Sequence, residues 1–181
     1  IYLIIKNNKK IIKNYNNIKK IYFKKYSDLN LKLKKLKIDI VIHCATHYKK
    51  DHKYKDIEKI ISSNVLFGNV LLENLKLLKP KKFINFTTVW ENYNGKYGNA
   101  FNLYAASKQA FANIIRYYSN LNKKNKFYNL FISDTYGYND KRIKLINLIK
   151  KNISKNKELK LVSKNLSINL TNVRDIISAV D

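Results

Sequence analysis

Short apolar runs alternate with segments of helical spacing along this chain, and that alternation restricts its fold more than any other feature. Ile38-Asp39-Ile40-Val41-Ile42-His43-Cys44 is nearly continuous in apolar character, the pattern of a parallel strand covered on both faces. Tyr54 to Leu78 follows, with Ile57, Ile60, Ile61, Val65, Leu66, Val70, Leu71, Leu75 and Leu78 recurring at three and four. It reads as one long amphipathic helix that Pro80 ends. The same rhythm runs through the rest. Strands are expected at Ile1–Ile5, from Ile21 to Ser27-Asp28, and at Phe83–Phe86, Phe127–Ser133 and Leu159–Val162. Helical spacing covers Leu29–Leu36, Asn102–Leu121 and Arg142–Ile153, and Trp90–Ala100 reads as a polar, Gly-containing loop. Strand and helix in alternation predict an α/β protein with a mainly parallel sheet and right-handed crossovers. At 181 residues, with no repeat and no linker, the chain amounts to one domain.

A formal charge of +25 would ordinarily point to nucleic acid. Here the basic residues spread along the whole chain instead of forming a stripe. Lys, Asn, Ile, Tyr and Phe, all with A/T-rich codons, are abundant, whereas Gly (4), Pro (1), Trp (1) and Met (0) are scarce. An A/T-biased genome accounts for the charge, so no nucleic-acid partner is expected. One cysteine, Cys44, excludes an internal disulfide and suits a reducing cytoplasm. No apolar run approaches the roughly 20 residues of a membrane span. The chain lacks Met and opens at Ile1 inside an apolar run, so it is expected to be an internal piece of a longer protein.

Tyr104-Ala105-Ala106-Ser107-Lys108 carries the chemistry. A Tyr and a Lys four residues apart share one helix face. An ammonium near a phenol favours the phenolate, so Lys108 is expected to lower the Tyr104 pKa from about 10. Such a Tyr exchanges a proton with a hydroxyl while a nicotinamide takes or gives the hydride.

The surrounding residues resemble the extended short-chain dehydrogenase/reductases, the NAD-dependent epimerase/dehydratases acting on nucleotide sugars. Val41-Ile42-His43-Cys44-Ala45-Thr46 resembles one family strand, and Ser63-Asn64-Val65-Leu66-Phe67-Gly68 with Asn69–Glu73 resembles the helix after it. Phe83-Ile84-Asn85 to Val89-Trp90 resembles the strand that delivers a catalytic Ser or Thr. Asp134-Thr135-Tyr136-Gly137 and Val173-Arg174-Asp175 with Ala179 complete the order. The run Asp134–Arg142 is most similar to bacterial reductases and epimerases making deoxysugars for surface polysaccharide.

The resemblance implies a Rossmann-like doubly wound parallel sheet spanning 1–181. It implies that the first strand, its helix and their glycine motif are missing at the N-terminus, and most of the substrate lobe at the C-terminus. The first two strands present are therefore expected to stand apart from the others, and residues 1–181 alone to fold poorly and hold cofactor weakly. It implies Tyr104 as acid/base, and Lys108 as the group that tunes it and holds the nicotinamide ribose. Aligning Val89-Trp90 with the family's Val-Tyr places Phe86 where a hydroxyl is usual, so Thr87 or Thr88 would supply it by a small shift.

The resemblance also sets Cys44, Ala45 and Thr46 against NAD or NADP, with Asn64 bracing the strand ends and Asp28 bordering the adenine. Lys6 is placed to meet a 2′-phosphate. His43 and His47 lack ligand-spaced partners, so no metal site is expected. The expected protein is a cytoplasmic, homodimeric nucleotide-sugar epimerase or 4-ketoreductase. A dehydratase is disfavoured because Thr87-Thr88 offers no acidic pair. A non-catalytic relative that binds a nucleotide sugar or a protein is the alternative, and Phe86 supports it.

Overall fold

The computed structural model describes residues 1–6, 16–138, 140, 142, 144–161, 165 and 167–181. Strands β1 (Tyr2–Lys6) and β2 (Lys19–Phe23) pair in parallel, and helix α1 (Tyr26–Leu33) follows them. Strand β3 (Ile40–His43) pairs with β4 (Lys82–Thr88), which pairs with β5 (Lys126–Ile132), again in parallel. A third parallel pair joins β6 (Asp134–Tyr136) to β7 (Leu170–Asn172). Helices α2 (Ile57–Ile61), α3 (Phe67–Glu73), α4 (Leu75–Leu78), α5 (Leu103–Leu121), α6 (Leu145–Ile153) and α7 (Val173–Ser178) fill the connections. Among the described residues no backbone pairing joins β1–β2 to β3–β4–β5, so the first two strands stand apart as expected.

The core lies between β3–β4–β5 and the layer of α1, α3, α4 and α5. Phe23, Leu29, Leu33, Leu72, Phe83, Phe111 and Ile115 are all buried there. Gly68 on α3 lets that layer close. A Cβ at Gly68 would stand 2.2 Å from Cζ of Phe111, whose ring is fully buried and tilted against His43 at 4.9 Å. Gly68→Ala therefore overpacks the α3–α5 contact. The expected loss is about 1–3 kcal/mol, read as a lower denaturant midpoint of the full-length protein.

Several expected elements change in detail. Tyr54–Leu78 is not one helix. A 3₁₀ turn at Tyr54–Asp56 leads into α2, a π turn at Ser62–Leu66 separates α2 from α3, and Asn74 breaks α3 from α4. Asn74 keeps right-handed helical backbone angles at this break, where its Nδ2 donates to the Val70 carbonyl (2.7 Å) and its Oδ1 accepts from Asn30 (3.0 Å). The helix expected at Arg142 begins at Leu145, because Arg142 is drawn onto the Asp140 carboxylate. Of the strand expected at Leu159–Val162, residues 159–161 form none and Val162 lies outside the described residues. β6 takes β7 as its partner, and Leu161 stays exposed. The Trp90–Ala100 loop contains a kinked 3₁₀ segment, Val89–Gly95, with Asn94 and Gly95 at φ of 55° and 70°. Among the described residues no helix is long and apolar enough to cross a membrane.

Candidate active site

A cleft of about 1050 Å³ opens where β3, β4 and β5 end, bounded by the start of α5 and by β6, α6, β7 and α7. Open parallel sheets bind ligands at this carboxyl edge. Helix α5 enters it because Asn102 caps its first turn, its Oδ1 accepting from the Ala105 amide at 2.9 Å. The Asn102 Nδ2 donates to the Lys50 carbonyl (3.2 Å), tying the loop after β3 to the helix start. Ala105, Ser107, Lys108, Phe111 and Ile115 form the buried face of α5, and Tyr104 and Lys108 both line the cleft. Cys44, Thr46, Phe86, Thr87 and Thr88 line it as well, whereas Ala45 does not.

The loop after β3 is fixed by Asn64. The π turn aims this fully buried side chain inward. Its Oδ1 accepts from the Thr46 hydroxyl (3.2 Å) and the His47 amide (2.6 Å), and its Nδ2 donates to the His47 carbonyl (3.2 Å) and Ser107 Oγ (2.9 Å). All of its bonding capacity is engaged within the protein, so Asn64 holds the cleft wall in place and does not itself line it.

Beneath the cleft, in-register polar residues cross the sheet. His43 Nδ1 meets Asn85 Oδ1 at 2.9 Å, and Asn85 Nδ2 donates to Asn129 Oδ1 at 2.9 Å. Burial carries the His43 imidazole down to about 4; the Asn85 contact opposes this and Lys108 adds to it.

Thr87 and Thr88 project to opposite faces of β4, with Phe86 on the same face as Thr88. Thr88 Oγ1 accepts from the Trp90 amide at 3.3 Å, while the buried Thr87 Oγ1 has no hydrogen-bond partner among the described residues. The Lys108 ammonium, on a residue only 3 % exposed, also has none among the described residues. An unused hydroxyl and an unused ammonium facing one cleft suit a ligand rich in hydroxyls.

Burial lowers the Lys108 amine to about 8, against the pull of Glu91 and Cys44. Burial raises the Cys44 thiol, with Lys108 opposing. The Tyr104 phenol is raised, contrary to the lowering expected from its amine neighbour. Burial is the largest cause, Thr46 opposes it, and Glu91 and Tyr48 add to it. Burial and the Glu91 carboxyl thus favour the neutral phenol at Tyr104.

Lys6 and Asp28 lie elsewhere, around β1 and α1. The Lys6 ammonium contacts the Tyr26 hydroxyl (3.3 Å) and Ser62 Oγ (3.5 Å). Asp28 accepts from the Lys25 amide (3.2 Å) and from Ser27 Oγ (3.4 Å). Sequence reasoning missed Tyr48, Trp90, Arg142 and Lys144, all of which line the cleft. The Tyr48 ring meets Tyr104 edge-on at 5.1 Å and Trp90 at 6.1 Å, an aromatic wall whose members are too scattered in sequence to be read as one. Among the described residues no group of three or more His, Cys, Asp or Glu is gathered as a metal site.

The family model for the NAD dependent epimerase/dehydratase family matches residues 5–181. The chain is 32% identical over 157 residues to CDP-abequose synthase of Yersinia pseudotuberculosis, covering 86% of this chain and 54% of that protein. It is 28% identical over 144 residues to CDP-abequose synthase of Salmonella muenchen, covering 80% and 48%. It thus spans about half the length of these relatives. Among solved structures, Bordetella bronchiseptica WbmG in complex with NAD superposes with a TM-score of 0.77 at 15% identity, over 99% of this chain and 59% of that one. The UDP-glucuronic acid 4-epimerase of Bacillus cereus, with UDP-glucuronic acid and NAD, gives 0.73 at 19%, over 92% and 55%. These likenesses are likenesses of fold.

Proposed function

The chain belongs to the NAD dependent epimerase/dehydratase family, and from that premise we propose that the protein it comes from is an NAD(P)-dependent nucleotide-sugar epimerase or 4-ketoreductase. One observation carries the reading: Tyr104 and Lys108 project from one helix face into the same cleft as Thr87 and Thr88, where the parallel strands end. The dinucleotide, when bound, accepts or donates a hydride. Lys108, with a buried and otherwise unused ammonium, would hold its ribose hydroxyls. Tyr104 moves the proton of the sugar hydroxyl, and Thr87 or Thr88 donates to the reacting oxygen. The raised phenol suits the direction in which Tyr104 gives a proton to a carbonyl. Removing water from a sugar would need an acid beside the threonines. The end of β4 and the turn after it bring Phe86, Thr87, Thr88, Val89 and Trp90 to the cleft and no carboxylate, which favours epimerase or reductase.

The curated relatives are named for a CDP-sugar, so CDP-4-keto sugars are the first substrates to offer the full-length protein, with oxidation of NAD(P)H as the signal. The second reading, a non-catalytic relative, rests on Phe86 in the cleft, and it predicts no turnover of any such sugar. Lys6 at the end of β1 adds a cation suited to a 2′-phosphate. Lys6→Ala is expected to weaken NADP binding about fivefold, the worth of one exposed ion pair near 1 kcal/mol, and to leave NAD binding unchanged in equilibrium titrations.

A further inference from the structure

Glu91 is a buried acid outside the cleft lining. It sits on the 3₁₀ segment Val89–Gly95, which is pinned along its length. The Phe101 amide donates to the Trp90 carbonyl (3.0 Å), the Tyr93 amide donates to the Asn99 carbonyl (2.9 Å), and Gly98 N donates to Asn92 Oδ1 (3.0 Å). Trp90 lies on the cleft with its ring edge-on to Phe101 at 5.2 Å. The next side chain is therefore turned inward. Glu91 is 3 % exposed, and its Oε1 is buried with no hydrogen-bond partner among the described residues. The segment packs on α5, the helix that carries Tyr104 and Lys108. A carboxyl in such a place is costly unless an opposite charge faces it. Lys108, buried on that same helix and not in ion-pair contact with Glu91, is the opposite charge that acts on it.

We propose that Glu91 is a positioning residue for the proton-transfer pair: a buried counter-charge, packed against the helix that carries Lys108, that keeps Lys108 an ammonium at the cleft. The inference rests on the reading of Tyr104 and Lys108 given above. Glu91 does not line the cleft, so it acts through Lys108 and not on substrate. Burial pulls both groups toward neutrality and each opposes that drift in the other, which leaves Glu91 at about 7 and Lys108 at about 8. The Thr88 backbone also favours the Glu91 carboxylate. From the β3 side, Cys44 supports the Lys108 charge, while burial holds the Tyr104 phenol up, Thr46 opposes it, and Glu91 and Tyr48 add to it. Removing the carboxylate should therefore let the amine fall further and release the phenol downward.

The test needs no substrate. Trace acetylation of the full-length protein with acetic anhydride across a pH series, read by mass spectrometry of the Lys108 peptide, gives the midpoint of the amine. Glu91→Gln should lower that midpoint by roughly 1 unit, and Glu91→Asp should restore part of it. An unmoved midpoint in folded Glu91→Gln protein overturns the proposal. Should Glu91→Gln not fold, the ¹³C carboxyl titration of Glu91 in a Lys108→Met variant replaces it: a raised midpoint supports the pairing and an unchanged one overturns it. Absence of turnover with every nucleotide sugar would instead defeat the functional reading, because the amine titration is independent of it.

Discussion

Tyr104→Phe is expected to cut turnover of the full-length protein about 10²- to 10⁴-fold, or roughly 3–5 kcal/mol of barrier, with dinucleotide affinity unchanged. The substitution deletes one hydroxyl and little else. The Phe ring keeps the edge contact that Tyr48 makes with Tyr104 at 5.1 Å, and α5 keeps its Asn102 cap. What is lost is the group that carries a proton to or from the sugar oxygen. Because the phenol is raised, the direction in which Tyr104 must first give up its proton should run faster as pH rises. The Phe variant should lose that dependence. Steady-state rates alongside dinucleotide fluorescence titrations separate the two effects. Unchanged turnover would remove Tyr104 from the mechanism, and equal loss of binding and turnover would make it a structural residue.

Asn64→Leu should produce the second large effect, this time on stability. Leucine has the branching and heavy-atom count of asparagine but more bulk, so crowding adds to a cost that comes chiefly from lost bonding. The His47 amide and carbonyl both lose their Asn64 partner inside the protein, as do the Thr46 hydroxyl and Ser107 Oγ. Two stranded backbone groups at about 1–3 kcal/mol each suggest a loss of about 2–6 kcal/mol. Thr46 lines the cleft, so dinucleotide binding should weaken along with stability. Chemical denaturation and binding titration of the full-length variant check both. Asn64→Asp keeps the two acceptor bonds and loses the two donor bonds, and is expected to fall between.

What the sequence disclosed was local. Helix α5 was readable from its helical spacing, with its start expected at Asn102, one residue early, and the parallel strands from the apolar runs around Val41 and Phe83. The first two strands standing apart followed from the family resemblance. What stayed hidden depends on register or on irregular backbone. The His43–Asn85–Asn129 line exists only because separate strands align in one register. The π turn that buries Asn64 sits inside a segment whose spacing read as plain helix. Glu91 lies in a stretch rich in Asn and Tyr that looked like solvated loop, and only the bonds pinning Trp90 and Tyr93 turn it inward. The rise of the Tyr104 phenol was missed for the same reason, since spacing shows the ammonium of Lys108 but not the burial or the carboxyl beside it. Leu159–Leu161 has strand composition but finds no strand partner among the described residues, which no local pattern reveals.

A crystal structure of the full-length protein with NAD(P) bound tests the central claim most directly. The account predicts the nicotinamide in the cleft where β3 and β4 end, the Lys108 ammonium on its ribose hydroxyls, and the Tyr104 hydroxyl facing the carbon that exchanges hydride. A dinucleotide bound elsewhere, or bound there with the side chains of Tyr104 and Lys108 turned away from it, would contradict the account.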